Sequence, residues 1–471
     1  MYSEVPNGLP SQFFYNLSKL QGSHSKNVIK VMADRPDGNT SGNIVNFRLP
    51  IGSLFSLDSL SCFFKTTISG TNPTIPARYS SSFIKRLAIS VNNVTISQIE
   101  DYNLLYNLMT DHTNKGLSKG IGGEFLDNSI IWGEGAVTGT AQTALTASNA
   151  LTASTANQAD LQMVINNFIG FLGSSSTKYI PTDRFGEIVI SLQLCQPYEV
   201  LGGTAEASAT TYADSTYTLD EMYMTMEAIS FSDDSYYNSI GNKDLMYSFD
   251  DYILTKFAET TKTSGINTTC YVSANSIDWV AGTAVRAQTA PKPMVGWGSL
   301  GAGDETTDKT ANVYQYLSNP AEYVNNVDTT THGDGFFSTE YLMRDLQGIT
   351  SAQVSINNKA LNYSSFNKHE IFNNNLLSLG YENVDASANA LISTCVSIFH
   401  YFKYYGAVFQ SLQVIDKENY YISGLSSAGS SCAINMNMKF SGNATYNITP
   451  IVIAKMTKVL HVKAGRMISV E

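Results

Sequence analysis

The residue types that could do chemistry are scattered along this 471-residue chain rather than grouped. Its six histidines, His24, His112, His332, His369, His400 and His461, show no His-Glu-x-x-His or comparable ligand spacing, so each reads as a surface or core histidine. Paired acids stand at Asp233-Asp234 and Asp250-Asp251 and could serve proton transfer or hold calcium. Neighbouring residues of an extended strand point to opposite faces, however, so neither pair converges if extended, and loop charge is the simpler reading. Asp304, Glu305 and Asp308 lack the oxygen-ligand pattern and placed glycine of an EF-hand loop. There is no phosphate-cradling glycine loop ending in Lys-Ser/Thr. No catalytic, cofactor-binding or metal-binding residue is therefore nominated, and no enzyme is expected. Two rival classes keep a stated requirement: a two-sandwich hydrolase needs carboxylates converging in a cleft, and a carbohydrate-binding adhesin needs exposed aromatic platforms, for which Trp132, Trp279 and Trp297 are the candidates.

Five cysteines, Cys62, Cys195, Cys270, Cys395 and Cys432, lie far apart with no Cys-x-x-Cys pair. Such a set reads as reduced core thiols of a chain folded in a reducing compartment. The start, Met1-Tyr2-Ser3-Glu4-Val5-Pro6, lacks a basic residue followed by an apolar stretch, so secretion is not expected.

The net charge of −11 argues against a general nucleic-acid binder. Its distribution is uneven. Residues 1–35 carry Lys19, Lys26, Lys30 and Arg35 against two acids, a net of +2, and the last 22 residues carry Lys455, Lys458, Lys463 and Arg466 against Glu471, a net of +3, which leaves −16 on the middle. These two basic ends could face a polyanion, or could be ordinary solvated surface.

The elements that would position any site are mostly strands. Charged residues make up only 15 % of the chain, and 27 Tyr and 22 Phe stand among abundant Ser, Thr and Asn, a mixture suited to half-buried pleated surfaces. Residues Ile188–Leu194 and Cys432–Phe440 alternate apolar and polar with a period of two. Asn43–Leu49, Ser59–Ser69, Phe83–Ile96, Tyr217–Phe231, Tyr247–Phe257, Thr268–Ser276 and Ile448–Val462 are further predicted strands. Helical spacing follows Asp101 (Tyr102, Leu105, Tyr106, Met109), follows Ser365 (Phe372, Leu376, Leu379), and starts again near Asp385 toward Tyr401. Ala136–Ala159, with alanine at every third residue from Ala141, fits neither period and reads as a long surface loop.

One plan occurs twice. Ile89-Ser90-Val91-Asn92-Asn93 is matched by Val354-Ser355-Ile356-Asn357-Asn358, and each Asn-Asn pair, suited to the positive φ of a tight turn, precedes a short strand, a polar cap and a helix. Tyr217-Thr218-Leu219 and Tyr446-Asn447-Ile448 each open a later, long strand. A duplicated all-β unit of this size predicts two consecutive eight-stranded antiparallel jelly-roll sandwiches with short inserted helices. The expected division is an N-terminal arm over 1–43, a first jelly roll over 44–231, a linker over 232–246 and a second jelly roll over 247–471.

The stretch from Phe83 to Met109, with its Asp101-Tyr102-Asn103-Leu104-Leu105-Tyr106 helix, resembles the first jelly roll of double jelly-roll major capsid proteins of tailless icosahedral DNA viruses, such as polinton-like viruses and virophages. Tyr179-Ile180-Pro181, then Gly186, then Leu192-Gln193 is similar to the stretch closing that jelly roll, and Ile448–Val462 with Arg466–Val470 resembles the close of the second. The Ala/Thr loop has no counterpart. The resemblance implies a homotrimer forming a pseudo-hexameric capsomer that tiles an icosahedral shell. It also implies contacts with neighbouring capsomers, penton and minor capsid proteins, and termini turned toward packaged DNA or an inner membrane. No cofactor and no small-molecule substrate is implied. The expected location is the virion capsid, after synthesis in the host cytoplasm or nucleus. The alternative remains a two-sandwich carbohydrate-binding adhesin or virion attachment protein.

Overall fold

The computed structural model describes residues 24–69, 75–76, 79–113, 161–202, 216–231, 244–262, 265–286, 344–361, 365–379, 398, 401–402, 405–413, 423–427, 431–441, 447–463 and 467–470. The Ala136–Ala159 segment, residues 232–243 of the expected linker and most of the helix expected from Asp385 to Tyr401 lie outside these residues.

Among the described residues, eight principal strands build the first half, beside shorter ones such as Leu54–Ser56 and Tyr179–Pro181: β1 (His24–Met32), β2 (Ile44–Leu49), β3 (Ser61–Ser69), β4 (Ile84–Val91), β5 (Val94–Glu100), β6 (Leu161–Ile165), β7 (Ile188–Leu194) and β8 (Thr216–Phe231). They hydrogen-bond in two antiparallel sheets ordered β1-β8-β3-β6 and β2-β7-β4-β5. The second half repeats this with β9 (Leu245–Lys256), β10 (Gly265–Val272), β11 (Ile277–Arg286), β12 (Ile349–Ile356), β13 (Lys359–Ala360), β14 (Val408–Ser411), β15 (Cys432–Phe440) and β16 (Asn447–Lys463). Its sheets run β9-β16-β11-β14 and β10-β15-β12-β13. Numbered from one to eight within each half, the orders are 1-8-3-6 and 2-7-4-5 both times. That wrapping of the chain between two sheets is the jelly roll. Helix α1 (Tyr102–Thr113) follows the fifth strand of the first sandwich, and α2 (Lys368–Ser378) stands at the same place in the second.

The duplicated turn has the same backbone geometry in both halves. Asn92 and Asn93 have φ of 49° and 66°, and Asn357 and Asn358 have 48° and 64°. Asn tolerates this left-handed region because its short polar side chain finds local partners. Here those partners are specific. The Asn92 amide donates to the Glu187 carbonyl (2.9 Å) while its Oδ1 accepts from the Glu187 amide (3.1 Å). Asn357 does the same with Ala433, at 2.8 and 2.9 Å. In both sandwiches the asparagine therefore clamps the turn onto the strand beside it, extending the ladder by one pair.

Burial explains the strand sequences. β7 and β15 alternate because one face meets the core and the other faces outward. β16 breaks that alternation with Ile451, Val452, Ile453 and Ala454 all buried. Val452 and Ala454 point into the second sandwich, and Ile451 and Ile453 belong to a core shared with the first. The shared core also takes in Tyr247, Phe249, Trp279 and Phe409, so the sandwiches are fused along an apolar seam. Each such side chain contributes roughly 1.5–3 kcal/mol on burial.

Three boundaries move. β1 lies inside the expected arm, yet it pairs with β8 along all nine of its residues, from His24↔Phe231 to Met32↔Tyr223. Its exposed lysines disguise it, because an edge strand needs little apolar character. β9 begins at Leu245, inside the expected linker. The cap of α2 is Asn367 rather than Ser365: its side chain accepts from the amides of His369 and Glu370, and Glu370 returns the bond to the Asn367 amide.

Candidate functional site: the seam between the sandwiches

Where the halves meet, strand ends and one helix end bring three polar groups together. The first centres on Asp101, which precedes α1 with φ 49° and whose carbonyl accepts from the amides of Leu104 and Leu105. Its carboxylate meets Lys85 of β4 at 2.5 Å and Lys256 of β9, across the seam, at 2.6 Å. Lys85 also pairs with the buried Glu199. Burial works against the Asp101 charge, but the two ammonium groups outweigh it and hold the carboxyl below its usual range. Burial also pulls Lys256 below an ordinary lysine, against the pull of Asp101.

The second group contains the Asp250-Asp251 pair. These residues sit in β9 rather than in a loop, and as adjacent strand residues they part to different partners. Asp250 binds Lys455 at 3.0 Å, whereas Asp251 binds Lys458 at 2.6 Å and accepts from the Ser97 hydroxyl of the first sandwich at 3.0 Å. Asp278 accepts from Ser276 and Thr457, each at 2.8 Å. Burial raises the Asp250 carboxyl, with Lys455 opposing it.

The third group is a buried chain of hydrogen bonds. His112, near the end of α1, places Nδ1 2.7 Å from the Leu108 carbonyl and Nε2 2.8 Å from the Tyr401 hydroxyl. A carbonyl can only accept, so Nδ1 carries a proton and donates it there. Asn375 of α2 donates to that hydroxyl (2.9 Å) and to Ala407 (2.7 Å), and accepts from the Phe409 amide (2.7 Å). Both inserted helices thus converge on one tyrosine.

This arrangement holds the halves together. Its carboxylates face ammonium groups and hydroxyls, and among the described residues no group of three or more His, Cys, Asp or Glu is placed to hold a metal ion. Burial pushes the Cys62 thiol up to about 12 and Cys270 to about 11, values at which neither is a nucleophile near neutrality. Cys195 and Cys432 are also free, buried and raised, while Cys395 lies outside the described residues.

The basic residues of the two ends are placed one by one. Lys455 and Lys458 are bound into the seam as above. Lys26 pairs with Glu227 at 2.7 Å, Lys30 lies 3.6 Å above the Tyr223 ring, and Arg35 donates to the carbonyls of Asp37 and Gly38. Lys463 ends β16 exposed, while Lys19 and Arg466 lie outside the described residues. Of the other histidines, His24 and His369 are exposed and His461 is half-buried, whereas His332 and His400 lie outside the described residues. Asp233, Asp234, Asp304, Glu305 and Asp308 lie outside them too. Trp279 is no sugar platform: it is buried against Tyr252 and Phe409, with ring centroids 6.0 and 5.2 Å away. Trp132 and Trp297 lie outside the described residues. Lys85, Glu199, Lys256, Tyr401 and Asn375 escaped the sequence reading because their partners are distant in the chain, and a residue pattern records only local spacing.

Two jelly rolls of identical strand order, fused along a shared core, define the double jelly-roll fold. No protein-family model matches the sequence, and no curated protein matches it either. Solved structures do. The capsid of PBCV-1 matches with a TM-score of 0.62 and 12 % identity, covering 97 % of this chain and 99 % of that one. The Faustovirus major capsid protein matches with a TM-score of 0.55 and 10 % identity over 96 % and 92 %. The Sputnik virophage structure matches with a TM-score of 0.54 and 10 % identity over 100 % and 93 %. The chain therefore has the fold of these viral capsid proteins over nearly its whole length.

Proposed function

We propose that this chain is a major capsid protein, three copies of which form a pseudo-hexameric capsomer that tiles an icosahedral virion shell. The observation that carries the reading is the fused pair of jelly rolls, matched end to end by capsid proteins of similar length. Two such units per chain make six in a trimer, near the symmetry that packs a plane with hexagons. The seam supports a structural role, since it joins the units through a shared apolar core and paired charges. Neighbouring capsomers, penton proteins and minor capsid proteins are the expected partners, and the virion capsid the expected location. A role for the basic ends toward packaged DNA or an inner membrane rests on Lys19, Lys30, Arg35, Lys463 and Arg466, because Lys26, Lys455 and Lys458 are paired with carboxylates.

Light scattering behind a sizing column tests the trimer. Three copies of a 51.3 kDa chain give about 154 kDa, and negative-stain images of that peak should show a hexagonal outline. A monodisperse species of monomer mass at all concentrations would overturn the reading.

A further inference from the structure

We propose that the outer edge of β10 pairs antiparallel with β10 of a second copy of this chain, across a two-fold axis at Thr269. The contact goes beyond the trimer reading, since a trimer does not need it; in the capsid role it would join one trimer to the next.

β2 and β10 hold the same place, each the second strand of its sandwich, at a sheet edge, hydrogen-bonded on one side to the seventh strand. In the first sandwich that edge is blunted. The Asp34 amide donates to the Asn46 carbonyl (2.9 Å), so the chain leaving β1 closes over β2 there. Arg48 adds charge to the same strand, paired with Asp34 at 3.5 Å and Glu187 at 2.6 Å. Covering backbone groups and adding charge are two ways in which natural edges avoid stray pairing.

β10 shows neither device among the described residues. Its sequence, Gly265-Ile266-Asn267-Thr268-Thr269-Cys270-Tyr271-Val272, holds no charge and no proline, and its register with β15 runs without a bulge. Outside that ladder no described residue makes a backbone-to-backbone bond to it, and Ser427 Oγ reaches its last carbonyl, Val272, at 3.2 Å. Gly265, Asn267, Thr269 and Tyr271 are exposed, Tyr271 to 70 %. The same face continues inward over β15 and β12 as Asn435, Asn437, Gln353 and Ser355, with Thr269 Oγ1 donating to Asn435 Oδ1 at 2.5 Å. An uncharged, hydrogen-bonded surface therefore backs the edge.

The occupant follows from the strand itself. Two copies of β1, β2 or β5 would bring like charges together, at Lys26 and Lys30, Arg48 and Glu100, whereas two copies of β10 bring none. Directly opposed residues of an antiparallel pair share a face, so exposed positions must oppose exposed positions and the two-fold must pass through a residue. At Thr269 the overlap covers residues 265–273, sets Thr269 against its own copy and sets Tyr271 against the partner's Asn267. Threonine pairs and aromatic neighbours of this kind stabilise sheets. A strand joined to itself is a closed, self-complementary contact. It is small, so it holds best where many act at once.

The test uses the full chain with single added cysteines at exposed positions. Thr269→Cys, concentrated and treated with a short bis-maleimide, should give covalent chain pairs on a denaturing gel. The yield should be about tenfold or more above wild type and above Lys359→Cys, which is exposed on the strand at the other edge of the sheet. Light scattering of the linked material should show two or more trimers joined. Asn267→Cys chains mixed with Tyr271→Cys chains should link to each other better than either links to itself. A Thr269→Cys yield no higher than that of Lys359→Cys, linked material that keeps the mass of one trimer, or Asn267→Cys chains that link to themselves equally well would overturn the inference and leave the capsid reading standing. A chain of monomer mass before linking would sink the trimer reading, and the Thr269→Cys yield would still decide the edge.

Discussion

Replacing Asn92 by glycine and by alanine separates the two things this residue does in the first turn. Glycine keeps the φ of 49° at no steric cost but loses the side-chain bonds, Oδ1 from the Glu187 amide at 3.1 Å and Nδ2 to the Phe185 carbonyl at 2.6 Å. Two bonds at roughly 0.5–1.5 kcal/mol each, on a partly exposed turn, put Asn92→Gly about 1–2 kcal/mol below wild type. Asn92→Ala loses the same bonds and adds the left-handed penalty, about 1–2 kcal/mol more. Asn357 has one corresponding side-chain bond to the strand, from the Ala433 amide at 2.9 Å, so Asn357→Gly should cost about 1 kcal/mol. Gly186 supplies the internal control. It has φ 87°, and a Cβ there would overlap the Asn92 side-chain amide. Gly186→Ala should therefore be strongly destabilising alone and less so with Asn92→Gly, a coupling of about 1 kcal/mol or more. Urea denaturation of the purified variants, followed by tyrosine fluorescence, measures all five. Equal midpoints for Asn92→Gly and Asn92→Ala, or additive behaviour of Gly186→Ala with Asn92→Gly, would refute this account of the clamp.

Phe249→Ala removes a buried seam ring that stands edge-on to Phe171, and should lower stability by about 3–5 kcal/mol and make the two halves unfold in separate transitions by calorimetry. Asp101 is held below its ordinary range, so its contribution is present above the unfolded value of about 4 and is lost as pH falls through the lower folded one; Asp101→Asn should flatten the acid limb of the stability–pH profile while lowering stability at neutral pH. Asp250 runs the opposite way: held above its ordinary value, it favours the fold at low pH and loses that contribution as pH rises through its raised value, so Asp250→Asn should flatten the profile there. In native protein Cys62, Cys195, Cys270 and Cys432 should resist alkylation, and mass spectrometry after unfolding should find all of them modified.

Much of the architecture could be read from residue patterns, for identifiable reasons. Period-two alternation located β7 and β15, because one wet and one dry face leave a direct imprint on sequence. The Asn-Asn pairs located both turns, because few residues other than glycine tolerate that backbone. β1 was hidden because only Ile29 and Val31 turn toward the core, and half-buried at that, so the strand leaves a weak apolar signature. The seam was hidden for a different reason. Lys85 meets Glu199, Lys256 meets Asp101, and His112 meets Tyr401, partners separated by 114, 155 and 289 positions. One trace did exist: the unbroken run Ile451-Val452-Ile453-Ala454 marks a strand covered on both sides, and hence a second layer beyond its own sandwich.

That doubly covered strand also bears on mechanics. Ile451 and Ile453 face one sandwich while Val452 and Ala454 face the other, and ion pairs at Lys256–Asp101 and a hydroxyl bond at Ser97–Asp251 cross the same line. Bending the halves against each other would shear close-packed side chains and pull charges from their partners, so the described parts of the two sandwiches form one stiff plank. In the proposed capsid role, a shell made of such planks has to find its curvature, and absorb internal pressure, at the joints between molecules.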